Sequence, residues 1–123
     1  MEFIDRNEGL LAKPATDRYC ILDSQISRFD VYYDAGHLYI DVYMSLPYSG
    51  LKVHNQLKLH FIGVNQYDLN WNDKYHFYTI ETYKFLKSEK GYYISFDPYD
   101  ESEKVLDEDR DIIFSKEVEG YLI

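Results

Sequence analysis

Hydrophobic and polar residues exchange places at nearly every step from Arg28 to Leu46. Phe29, Val31 and Tyr33 alternate with Arg28, Asp30 and Tyr32. After Asp34-Ala35-Gly36, Leu38, Ile40, Val42, Met44 and Leu46 alternate with Tyr39, Asp41, Tyr43 and Ser45. A period of two places one row of side chains on each face of a strand, whereas a helix would scatter them around its circumference. The stretch therefore predicts a hairpin closed at Asp34-Ala35-Gly36. A second long strand is predicted after the turn Pro47-Tyr48-Ser49-Gly50, where Leu51, Val53, Leu57, Leu59 and Phe61 alternate with Lys52, His54, Gln56, Lys58 and His60. Gly63 permits a bend or bulge, and Val64, Tyr67, Leu69 and Trp71 continue an extended course until Asn70-Trp71-Asn72-Asp73 turns the chain.

A second hairpin is predicted over His76 to Phe96. Ser88-Glu89-Lys90-Gly91 precedes Tyr92, Ile94 and Phe96, which alternate with Tyr93, Ser95 and Asp97. In its first strand two rows compete for the inside, Phe77/Tyr83/Phe85 and Tyr78/Ile80/Leu86, and a bulge would reconcile them. Ile112, Ile113, Phe114, Val118 and the ending Gly120-Tyr121-Leu122-Ile123 predict a last strand. Tyr19 to Ile26 fits either a strand followed by a turn at Asp23-Ser24 or a short helical turn. Residues 1 to 16 carry no period, and Lys13-Pro14-Ala15-Thr16 breaks any regular element, so this stretch reads as an arm or loop. With no internal repeat or linker, residues 1–123 form one domain. The expected class is all-β: an antiparallel sandwich or curved sheet of about six to eight strands with at most one short helix.

Composition strengthens the β reading, because 14 Tyr, 7 Phe and 1 Trp among 123 residues favour pleated surfaces on which broad rings lie across neighbouring strands. Net charge is −9, from 22 acids and 13 bases, which repels polyphosphates and anionic lipid. Nucleic acid and membrane are therefore not expected as partners; the charge suits a basic protein such as a toxin, the plainer alternative being acidity for solubility alone. Asp97 to Asp111 carries eight acids and two bases, so −6 of the −9 sits in a segment expected to be solvated. Cys20 is the only cysteine; it allows no intrachain disulfide or multi-thiolate site and reads as a small buried hydrophobe in a reducing setting. Met1 to Arg18 lacks the roughly 7 to 15 apolar residues of an export signal, and no run approaches the roughly 20 needed to span a bilayer. A cytoplasmic location is expected.

No chemical motif is complete. Asp107-Glu108-Asp109-Arg110-Asp111 begins like a calcium loop, but Ile112 stands where glycine is needed and Val118 where the closing glutamate belongs. His37, His54, His60 and His76 lack zinc spacing and read as isolated surface or edge residues. Cys20, Ser24, Ser45 and Ser95 have no nucleophile elbow around them, and no phosphate-binding glycine loop is present. No cofactor or metal is expected, and the chain reads as non-catalytic, the alternative being an enzyme with an unrecognised site, which a deep pocket lined by convergent polar groups would support. The most suggestive feature is a tyrosine row opposite the core faces: Tyr32, Tyr39, Tyr43 and Tyr93 with Asp41, and Tyr78 as a further candidate. An exposed face of this kind suits a protein partner or a stacked sugar. The plainer alternative is that the rings cover cross-strand neighbours or pack beneath a second sheet. Asp107, Asp109 and Asp111 join the tyrosines as candidate contacts for a basic partner.

Leu22-Asp23-Ser24-Gln25-Ile26, the turn Asp34-Ala35-Gly36, and Leu57-Lys58-Leu59-His60-Phe61-Ile62-Gly63-Val64 together resemble small bacterial β-domains, among them immunity proteins of polymorphic toxin systems. The resemblance spans about a third of the chain and carries no functional residue across. It implies a domain that binds and blocks a toxin, its acidic surface meeting a basic, nuclease-like target.

Overall fold

The computed structural model describes residues 1–47, 56–70, 73 and 79–123, Asp17 by its backbone alone. The expected strand residues 51–55, the turn over 48–50, and Trp71, Phe77 and Tyr78 lie outside the described residues.

The alternating stretch forms β2 (Gln25–Asp34) and β3 (His37–Ser45). Ala35 and Gly36 both have positive φ, 49° and 84°, the conformation that lets a two-residue turn follow the twist of its strands. Ser27 is an extra residue between the pairs Ile26↔Met44 and Arg28↔Tyr43. This bulge changes the parity of β2, so that Ile26 and Phe29 both reach the core side. β4 (Gln56–Asp68) runs unbroken through Gly63, with Asn65 forming a bulge, and its Leu57, Leu59 and Phe61 are buried against Met44, Val42 and Ile40. The second hairpin is β5 (Lys84–Ser88) and β6 (Gly91–Asp97), and the last strand is β7 (Arg110–Leu122).

The N-terminal segment departs from the expected arm. Glu2–Arg6 is a strand, β1, paired antiparallel with β7, and Glu8–Leu11 is the one-turn helix α1, followed by 3-10 turns at Lys13–Ala15 and Asp17–Tyr19. β1 escapes periodicity because its burial is graded rather than alternating, and its backbone partners lie more than a hundred residues away. α1 buries Leu10 over Gly120, where a Cβ would stand 2.6 Å from Leu10 Cδ1. The stretch from Tyr19 becomes a turn, with Asp23 at φ 64°, before β2 begins.

Among the described residues, the seven strands belong to one antiparallel sheet in the order β2-β3-β4-β7-β6-β5, with β1 added to β7, and the sheet does not close into a barrel. A two-sheet sandwich is thereby replaced by the curved sheet. Phe29 of β2 and Phe96 of β6 measure the curvature: their rings are 6.2 Å apart, although four strand steps of about 4.8 Å would separate them by roughly 19 Å in a flat sheet. The concave side holds Ile40, Val42, Leu59, Phe61, Ile94, Ile113 and Val118, capped by Leu10, Ile21 and Ile80. Among the described residues no helix is long and apolar enough to cross a membrane.

The acidic segment after β6 is only partly solvated. Asp109 is buried: its carboxylate accepts hydrogen bonds from Lys84 Nζ (3.0 and 3.1 Å), the Tyr93 hydroxyl (2.7 Å), and the backbone N–H groups of Tyr99 (2.9 Å) and Leu106 (3.1 Å). Lys84 also meets Asp100 at 2.9 Å. Burial pushes the Asp109 carboxyl up, but these donors outweigh it and hold the group below its ordinary value. Removing one member of a buried pair leaves the other charge uncompensated, which costs about 3–5 kcal/mol. Asp109→Ala is expected to lower unfolding stability by about that amount in urea titration, and a loss below about 1 kcal/mol would show that the segment is not held by this carboxylate.

Candidate functional site

Three cross-strand rows cover the convex side of the sheet. Pairing aligns Arg28 (β2), Tyr43 (β3), Lys58 (β4), Tyr121 (β7) and Phe3 (β1) in one line, so cations and rings alternate across most of it. The next line is Asp30, Asp41, His60, Glu119 and Arg6, and the third contains Tyr32, Tyr39, Ile62 and Glu117. Five strands at about 4.8 Å and three rows two residues apart make a patch of roughly 19 by 14 Å.

Ring faces in this patch are occupied by neighbours. Tyr39 stacks between Tyr32 (5.3 Å, 12°) and His60 (5.5 Å, 7°). Arg28 and Lys58 lie over Tyr43 at 5.5 and 5.7 Å, Lys58 is 5.9 Å from the Tyr121 ring, and Phe3 meets Tyr121 edge-on at 5.6 Å. Asp41 anchors the centre. One oxygen is bonded to His60 Nδ1; the other accepts the Tyr32 hydroxyl at 3.0 Å and faces Lys58 Nζ at 3.8 Å. Burial pushes the Asp41 carboxyl up, but the bonds from His60 and Tyr32 and the Lys58 charge outweigh it, so the group is held below its ordinary value. Burial and the bond to Asp41 push the Tyr32 hydroxyl up to about 12. An ionised Asp41 can only accept, so the bonded Nδ1 carries the His60 proton and the second ring nitrogen is left for other contacts.

Tyr32, Tyr39, Asp41 and Tyr43 therefore stand together as the alternation implied. Lys58, His60, Tyr121 and Arg28 complete the site. His60 is not the isolated histidine expected, since register with β3 sets it opposite Asp41. Tyr93 is not in the patch: it does point away from Ile94, but the acidic segment folds over that side, leaving Tyr93 with no exposure and its hydroxyl on Asp109. Asp107 is exposed, whereas Asp109 and Asp111 are buried and unavailable as surface contacts, because each is drawn in by donors of the chain itself. Cys20 is half-buried rather than sealed in the core. A lone lysine inside the apolar run Tyr83–Leu86 was the signal for the Asp109 network, because a cation there demands an acid.

A cleft of about 810 Å³ lies at the opposite end of β7, lined by carboxylates that include Asp68, Asp97, Asp107 and Glu108. Among the described residues no group of three or more His, Cys, Asp or Glu side chains is placed to hold a metal ion. Beside the cleft, Asp111 has no exposure; its Oδ1 accepts the Asn70 N–H at 2.8 Å and its Oδ2 has no hydrogen-bond partner among the described residues.

No family model matches the chain, nor does any curated protein or solved structure.

Burial, reinforced by Asp97 and Asp68, pushes the Asp111 carboxyl up to about 6, from a usual 3.8. The folded state thus holds this proton more tightly than the unfolded chain, so the contribution of Asp111 to stability grows as pH falls from about 7 towards 4. About two units correspond to about 3 kcal/mol. Asp111→Asn is expected to stabilise the protein at pH 7.5 and to lose that advantage by pH 4, in paired thermal or urea melts. An advantage that is constant across this range would show that the carboxyl titrates normally.

Proposed function

We propose that the chain is a non-catalytic protein-binding domain whose contact surface is the convex patch of Tyr32, Tyr39, Asp41, Tyr43, Lys58, His60 and Tyr121. The supporting observation is the continuous cross-strand alternation of cations and rings, locked by stacking and by Asp41. Such side chains are immobilised before binding, so they supply contact area at little further entropic cost. The patch measures about a third of the roughly 800 Å² that each partner commits to a stable complex, which suits the energetic centre of an interface.

A sugar platform is disfavoured, because stacking a pyranose needs an open ring face and both faces of Tyr39 are covered. The resemblance to immunity proteins gives the proposed binding a biological direction, that of blocking a toxin; the basic character expected of that target does not carry over to this patch, where the Arg28 cation is exposed. The partner is to be captured by crosslinking with the wild-type domain. Tyr39→Ala and Tyr43→Ala should each weaken that complex at least roughly tenfold while leaving the thermal melt of the free domain within a few degrees. Capture that survives both substitutions would remove the patch from the interface.

A further inference from the structure

We propose that the Arg28-Tyr43-Lys58-Tyr121 row binds carboxylate side chains of an acidic partner surface, an assignment that rests on the protein-binding reading above and names the chemistry it selects.

The carboxylates of the central patch already have donors. Asp30 accepts Arg28 Nε at 2.8 Å, both oxygens of Asp41 are engaged, and Glu119 accepts the Tyr121 hydroxyl at 3.1 Å. The donors are not used up. Arg28 spends only Nε on Asp30, and its side chain is 66% exposed. Lys58, whose side chain is 19% exposed, has its nearest carboxylate oxygen among the described residues at 3.8 Å, too far for a hydrogen bond. The hydroxyls of Tyr39 and Tyr43 have no hydrogen-bond partner among the described residues and add further positions. A guanidinium with its terminal nitrogens open, an ammonium one strand pair beyond it, and hydroxyls between them fit anionic acceptors.

The acidity of the whole chain does not oppose this at close range. Its −6 segment ends where β7 begins, and Tyr121 lies eleven residues further along that strand, about 36 Å if extended. A Debye length of about 8 Å at physiological salt screens that separation. The carboxylates placed among the cations also disfavour a polyphosphate, whose charges are closely and regularly spaced.

The test is titration of the ¹⁵N-labelled domain with poly-L-glutamate at 150 mM salt, followed by amide shifts. Saturable shifts at Tyr43, Lys58 and Tyr121, weakened at least about tenfold in the Arg28→Gln/Lys58→Gln double variant, are expected. The same spectra report whether that variant is folded, and Lys58→Arg, which keeps the charge, should restore most of the binding in the Arg28 background. No shift on this row overturns the assignment, as do shifts that survive the double variant. Equal or tighter occupation of the row by poly-L-lysine or by a single-stranded oligonucleotide also overturns it. If poly-L-glutamate fails while partner capture still depends on Tyr39 and Tyr43, the protein-binding reading stands and only its carboxylate chemistry falls.

Discussion

The architecture depends on β7 being paired along both edges. One edge carries β4 over almost its whole length; the other is shared end to end by β6, opposite residues 110–115, and β1, opposite residues 119–122. Asn7 fills the gap between them: its N–H donates to the Val118 carbonyl, and its side-chain oxygen accepts the Val118 N–H. Gly91 enters from the other direction, where a Cβ would lie 2.3 Å from the Ser115 carbonyl oxygen. No side chain but hydrogen fits there. Backbone satisfaction along this strand fixes where every other element lies.

Functional geometry follows from that register. Arg28, Tyr43, Lys58, Tyr121 and Phe3 come from five strands, and a slip of one residue at any ladder would send one of them to the concave side. The row is therefore a property of the whole sheet. The two ends of β7 also have different chemistry. At its start, carboxylates line a cleft, and Asp109 and the neighbouring Asp111 are drawn inside; near its end, Asp41 and Glu119 accept hydrogen bonds from the chain's own donors while Arg28 keeps its terminal nitrogens open.

Much of this was legible from residue order. Strict alternation located β2, β3 and the described part of β4, and the parity of Tyr32, Tyr39, Asp41 and Tyr43 put them on one side. Parity could not show which residues face one another across strands, so Lys58 and His60 were seen as polar positions without partners. It also could not reveal β1, whose residues gain order only from a distant ladder, nor the folding back of residues 98–109 over Tyr93. β7 conceals its faces for a further reason: Ile113 and Val118 are both buried although an odd interval separates them, with Lys116 and Glu117 exposed between. Asp109 and Asp111 looked solvated because charge counting registers the sum of a segment and misses the single carboxylate that meets a buried lysine.

The pairing of Glu2 with Leu122 also has a kinetic consequence. β2, β3 and β4 can zip as neighbours, and β5 can join β6, but the two groups share no ladder until residues 110–122 are available. The entropic cost of closing so large a loop grows only logarithmically with its length, so it weighs little on equilibrium. It weighs more on rate, since contacts between remote parts of a chain must be found before they are rewarded. Folding should proceed from two preformed hairpin groups to a late docking event in which the final strand joins them and the opening residues seal its free edge.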